Sequence, residues 1–171
     1  DFSDDNLQQA LCYVQSWCNL NGMQLSTKKT KEMVLKFSKR VRTDLCTPLV
    51  YDCAVIDRVE EFKILGIMVP SDLTWSRHVV YIVARANKRI FAICQLVRCG
   101  FDHKDIVTVY CSLIRPVLEY ASQVWHCGLT RTLSDEIERV QRRCLHIIYP
   151  QLSYSDALAV SGCRLMAISK P

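Results

Sequence analysis

Apolar positions along the chain recur at two different periods, and the change between them falls near residue 71. Leu7, Leu11, Val14 and Cys18 lie three or four residues apart with Trp17 beside them, and Asn21-Gly22 follows as a left-handed stop. This pattern predicts a first helix over Asp4–Leu20. The next runs are shorter. Met33–Phe37 reads as a strand and leads into the basic stretch Ser38–Thr43. Leu49–Tyr51 and Cys53–Ile56 read as short strands about a tight turn. Glu61–Val69 reads as one further strand, in which the interior Gly66 marks a bulge or a close backbone approach.

Beyond Pro70-Ser71-Asp72 the helical period returns. Val79, Ile82, Ala86, Ile90, Ile93 and Val97 form one stripe that stops near Gly100. Ile106, Tyr110, Leu113, Val117 and Val124 predict a helix from His103 to Trp125, kinked or split at Pro116. Ser134 is the expected cap of the next helix, with Asp135, Glu136 and Glu138 in its first turn and Pro150 past its end. A short helix over Ser155–Val160 closes the pattern. The expected fold is α+β: one helix with a small antiparallel sheet over 1–71, then a helical bundle over 72–171.

Composition narrows the class. Half of the 171 residues are apolar and only five each are Gly and Pro, which excludes a disordered or fibrous chain. The apolar runs are far too short to span a bilayer, and the N-terminus shows no basic region followed by an apolar stretch. The expectation is an intracellular protein, nuclear or cytoplasmic, with no membrane partner. Ten cysteines occur without a CxxC pair and fall among apolar positions, as reduced packing thiols do. His126, Cys127, Cys144 and His146 come nearest to a metal set, but Cys144 belongs to an apolar helix face, so no metal ligand is assigned.

The net charge of +5 is modest, and its placement carries more information. At about 100° per residue, Arg139, Arg142, Arg143 and His146 lie opposite Ile137, Val140, Cys144 and Ile148. Arg85 and Lys88 likewise oppose the stripe begun by Val79, with Arg89 on its flank. A solvated face and a phosphate-binding face both fit this pattern. At the N-terminus, Asp4-Asp5 could be a carboxylate pair for divalent ions or the acidic first turn of a helix. The residues alone leave both open.

Four blocks in order resemble the reverse transcriptases of non-LTR (LINE-type) retrotransposons. Trp17-Cys18-x-x-Asn21-Gly22-Met23-x-Leu25-x-x-x-Lys29-Thr30-Lys31-Glu32 is similar to the end of their palm. Phe62-Lys63-Ile64-Leu65-Gly66-Ile67 with Asp72-Leu73-Thr74-Trp75-Ser76-x-His78 resembles the primer grip and the entry to the thumb. Tyr110-x-Ser112-Leu113-Ile114-Arg115-Pro116 through Trp125-His126, and Leu145-x-Ile147-Ile148-Tyr149-Pro150, resemble the helical region that follows.

The resemblance implies a palm remnant over 1–71 and a thumb and connector over 72–171. It implies that Asp4 and Asp5 are helix-capping acids, because no second hairpin strand fits between them and Trp17. The catalytic aspartates and the fingers would then lie upstream. The parent activity is RNA-directed DNA synthesis with Mg²⁺, whereas this chain would hold an RNA template and DNA primer without a cofactor of its own. Lys29 maps to a candidate proton donor near the nucleotide, and Phe62, Lys63, Leu65 and Gly66 map to primer contacts. Arg85, Lys88, Arg89, Arg139, Arg142 and Arg143 are the expected nucleic-acid ligands. Ser26 and Ile64 depart from the family pattern, as does the C-terminus, and they suggest a decayed copy. The alternative is a non-catalytic helical interaction module.

Overall fold

Asn21-Gly22 acts as the stop that its sequence predicts. In the computed structural model, which describes residues 4–35 and 47–165, helix α1 covers Asp4–Leu20. Gly22 sits at φ +66°, where a side chain would be strained. Its N–H reaches the Asn19 carbonyl while the Met23 N–H reaches back to Cys18, so the last turn closes on itself. Asp4 and Asp5 open this helix in its first turn. The apolar stripe is only partly covered. Cys18 is buried, while Leu7 and Val14 remain exposed and Trp17 is 57% exposed.

Two hairpins follow. Strands β1 (Val50–Tyr51) and β2 (Ala54–Val55) pair antiparallel about Asp52-Cys53, both at positive φ. The Gln8 side-chain amide donates to the Val50 carbonyl (2.8 Å) and accepts from the Val50 N–H (3.0 Å), tying α1 to the strand edge. The expected single strand over Glu61–Val69 is instead a second hairpin, β3 (Glu61–Ile64) against β4 (Ile67–Pro70). Leu65 at φ +48° and Gly66 at φ +90° make its two-residue turn, the left-handed pair that matches strand twist.

No strand forms over Met33–Leu35, and Lys36, Phe37 and Ser38–Thr43 lie outside the described residues. Glu32 makes one parallel bridge to Arg58 instead. Its N–H donates to the Asp57 carbonyl, and its own carbonyl accepts from Val59. The Arg58 guanidinium meets the buried Glu32 carboxylate at 2.7 Å, and Lys31 meets Asp57 at 2.5 Å. The chain divides into two compact units, Asp1–Leu73 and Thr74–Pro171.

The second unit is a helical bundle, and the fold is α+β as expected. Helix α2 (Ser76–Arg98) buries His78, Val79, Ile82, Ala86, Ile90 and Ile93, while Val97 is exposed. Helix α3 (His103–Val109) runs without a break into a widened π-helical turn, Tyr110–Ile114, and then α4 (Arg115–Glu119). The Arg115 N–H reaches five residues back to Tyr110, and Pro116 sits at the start of α4, where its missing N–H is tolerated. The break therefore falls after Pro116, at Tyr120-Ala121, with Ala121 at φ +50°. The Trp125 indole N–H satisfies the Tyr120 carbonyl there at 2.9 Å.

Helix α5 (Ser122–Trp125) and a 3₁₀ turn (His126–Gly128) lead to α6 (Arg131–Ile148). The cap of α6 is Thr130, whose side chain accepts from Leu133, and not the expected Ser134. Ser134 already donates its N–H to the Thr130 carbonyl inside the first turn. Helix α7 (Tyr154–Ser161) is capped by Ser153. The core forms where α2 packs along α6, with α3, the widened turn and α4 on α2 and with α7 on α6.

The cysteines depart from the expectation of packing thiols. Among the nine described, all free, Cys18, Cys144 and Cys163 are buried, while Cys12, Cys53, Cys99, Cys111 and Cys127 are exposed. Cys111 and Cys163 lie 3.9 Å apart, sulfur to sulfur.

Candidate nucleic-acid interface

Helix α6 separates its two faces as the 100° rule requires. Ile137, Val140, Cys144, Leu145 and Ile148 are buried, and Arg139, Arg142, Arg143 and His146 are exposed at i, i+3, i+4 and i+7. These four side chains form one wall of a groove of about 360 Å³. Leu152, Tyr154 and Ala157, from the turn after α6 and from α7, line the rest. No described carboxylate makes an ion pair with Arg139, Arg142 or Arg143.

The groove is held by buried polar groups that periodicity had hidden. Glu138 and Gln141 lie on the packed side of α6, and Gln141 is wholly inaccessible. The Gln141 side-chain oxygen accepts from the Tyr110 hydroxyl at 2.8 Å. Its amide group donates to the Tyr154 hydroxyl at 3.1 Å and to the Arg164 carbonyl at 3.0 Å. The Tyr154 hydroxyl in turn donates to Glu138. Burial and the Glu138 hydrogen bond push the Tyr154 hydroxyl well above the ordinary phenol range, so it stays protonated and can donate. With its hydroxyl fixed, the Tyr154 ring lies under the Arg142 guanidinium, 4.9 Å from ring centroid to Cζ. A sequence signal for these residues existed, since Glu138 and Gln141 interrupt an otherwise apolar set that runs from Ile137 to Ile148.

The other candidates are distributed. Arg85 and Lys88 are exposed on α2, with Arg85 5.5 Å over the Tyr81 ring. Arg89 is half-buried and donates to the Leu113 carbonyl in the widened turn, a structural bond that takes it out of the exposed basic set. In the first unit, Lys29 is exposed in the turn that follows Ser26, whose carbonyl accepts from the Lys29 and Thr30 N–H groups. Phe62 is half-buried on β3 opposite Val69, and Lys63 is exposed opposite Met68. Leu65, 85% exposed, forms the hairpin tip with Gly66.

Trp75, His78, Tyr110 and Trp125, from the Asp72–His78 and Tyr110–His126 blocks, are buried and serve packing. His78 is buried with its ring 6.3 Å from Trp75 and 5.3 Å from Trp125, both edge-on. Burial holds the His78 imidazole below its ordinary pKa. Among the described residues no three His, Cys, Asp or Glu side chains come together as a metal site. In the candidate metal set, Cys144 faces the core while His146 faces the groove. No helix among the described residues is long and apolar enough to cross a membrane.

In an alignment 148 residues long that covers 83% of it, the chain is 22% identical to a protein of Drosophila melanogaster described as a probable RNA-directed DNA polymerase from the transposon BS. It covers 16% of that protein's length. No family model matches the chain. No solved structure matches it either.

Proposed function

We propose that this chain is the template–primer-holding part of a reverse transcriptase related to those of non-LTR retrotransposons, and that it grips nucleic acid through the basic face of α6. The observation that carries this reading is the set Arg139, Arg142, Arg143 and His146. These four exposed groups gather on one wall of a groove, and the three arginines pair with no described acid. Similarity to a transposon polymerase along most of the chain supplies the context. In this reading residues 1–71 derive from the palm and 72–171 from the thumb and connector. Phe62, Lys63, Leu65 and Gly66 border the primer, Lys29 lies near the nucleotide, and Arg85 and Lys88 extend the basic surface. Mg²⁺ and the polymerising carboxylates belong to the complete parent enzyme.

A surface that works through phosphates must lose affinity as salt rises. Each neutralised phosphate contributes about −0.9 to the slope of log affinity against log salt on B-DNA, and less on other forms. The test is fluorescence anisotropy with a labelled RNA–DNA primer–template across a salt series. Replacing Arg139, Arg142 and Arg143 with Gln should flatten the slope by about two to three units. Because all three side chains are exposed, stability should barely change. Absence of binding at low salt, or a slope unchanged by the triple substitution, would favour the protein-interaction module instead.

A further inference from the structure

We infer that the groove between α6 and α7 seats one unpaired nucleobase of a single strand, stacked on Arg142, with its flanking phosphates on Arg139, Arg143 and His146. This rests on the nucleic-acid reading above and adds a ligand class to it. A surface that meets only phosphates needs cations alone. Here the cations border a concave lining built from Leu152, Ala157 and the Tyr154 ring, which suits a flat, weakly polar group. The volume of about 360 Å³ sits at the small end of ligand pockets, which run from about 300 to 1,000 Å³. That matches one nucleotide and is too small for a base pair carrying two backbones.

Arg142 supplies the platform. Its Cζ lies over the Tyr154 ring, 4.9 Å from the centroid, and the Tyr154 hydroxyl is fixed by Glu138 and Gln141, so the ring backs the cation before any ligand arrives. In the proposed complex the base stacks on the side of the guanidinium away from the ring. Bases stack on arginine planes as well as on aromatic rings, and such stacking tolerates every base because each presents a π-face. Lysine cannot do this, since its ammonium is a point charge.

The experiment compares three fluorescein-labelled probes on the full chain at low salt: a twelve-nucleotide oligothymidylate, the same backbone with abasic sites throughout, and a twelve-base-pair duplex. The oligothymidylate should bind roughly five- to tenfold tighter than the abasic strand, the low end of what one stacked base contributes. It should also bind more tightly than the duplex. Arg142→Lys keeps the charge and removes the plane, so it should bring the ratio of thymidylate to abasic affinity close to one. Leu152→Asn, which makes the lining polar without touching the cations, should lower the same ratio. Far-ultraviolet dichroism confirms that each variant is folded.

Equal affinity of the wild-type chain for thymidylate and abasic strands would overturn the base site while leaving a salt-dependent phosphate grip standing. Failure to bind any strand would overturn both. A phosphotyrosine peptide that bound more tightly than every strand would overturn the base site in favour of a protein ligand.

Discussion

Replacing Gln141 with Leu removes one buried amide from the centre of the helical unit and leaves the volume nearly unchanged. The hydroxyl of Tyr110, a wholly buried residue, then loses its acceptor. A buried polar group stranded in this way costs about 1–3 kcal/mol. The Arg164 carbonyl also loses its donor, but Arg164 is exposed and water can replace it. The Tyr154 hydroxyl keeps Glu138 as its acceptor. The net expectation is a loss of about 2–3 kcal/mol. For a unit of this size, with a urea slope near 1–2 kcal/mol per molar, the midpoint should fall by about 1–3 M.

Trp75 and Trp125 are buried in the helical unit, whereas Trp17 is exposed in the other unit. Urea titrations followed by tryptophan fluorescence in a Trp17→Phe background therefore report the helical unit. Adding Tyr110→Phe removes the stranded hydroxyl and should restore about 1–2 kcal/mol, so the double variant is more stable than Gln141→Leu alone. A Gln141→Leu cost below about 0.5 kcal/mol, or a double variant no better than the single, would refute the hydrogen-bond assignment.

Three further outcomes are expected. Leu65→Asn replaces a side chain strained at φ +48° with one that tolerates that backbone, so it should stabilise the second hairpin by about 0.5–1 kcal/mol, read as slower hydrogen exchange at Ile64 and Ile67. Gln8→Met removes both hydrogen bonds to Val50 and should cost about 1–2 kcal/mol, with faster exchange of the Val50 amide as the readout. Burial pushes the Cys144 thiol up to about 12 against the pull of nearby Arg143, so its contribution is complete below about pH 9, where the unfolded thiol begins to ionise, and falls as pH rises toward 12. The loss should approach about 1.4 kcal/mol per pH unit, and Cys144→Ala should flatten the slope of stability between pH 9 and 11 even though it lowers stability overall.

Periodicity carried the helices. The bounds of α1 agree with the stripe and stop read from sequence, and the buried set of α2 differs from it only at Val97 and His78. Start signals were weaker, since Thr130 and Ser134 both suit a cap and only the first-turn hydrogen bond from Ser134 to Thr130 separates them. The β3–β4 turn was hidden because Leu65 is apolar and reads as a strand residue, although it is exposed at the tip. Met33–Leu35 has the composition of a strand, but a strand also needs a neighbour to pair with, and among the described residues of this segment only Glu32 finds one. In the candidate site, the exposed arginines follow from helix rotation alone. The groove does not, because the position of Tyr154 against α6 depends on Gln141 and Glu138 meeting it across 13 and 16 residues of chain.

The widened turn at Tyr110–Ile114 gives the chain some freedom in its length. Ile106, Tyr110, Ile114 and Leu118 are spaced by four throughout, and in a regular helix that spacing drifts by about 40° at each step. Leu118 would end about 120° from Ile106 and leave the core, yet all four are at most 1% exposed. The extra residue in the turn absorbs the drift, so it acts as an insertion accommodated inside a helix. Deleting one residue between 110 and 114 would restore regular geometry and leave Leu118 eleven residues from Ile106, only about 20° out of phase, so it would keep its place in the core. In this segment a lost codon can be absorbed, whereas in a regular helix it would turn everything beyond it by about 100°.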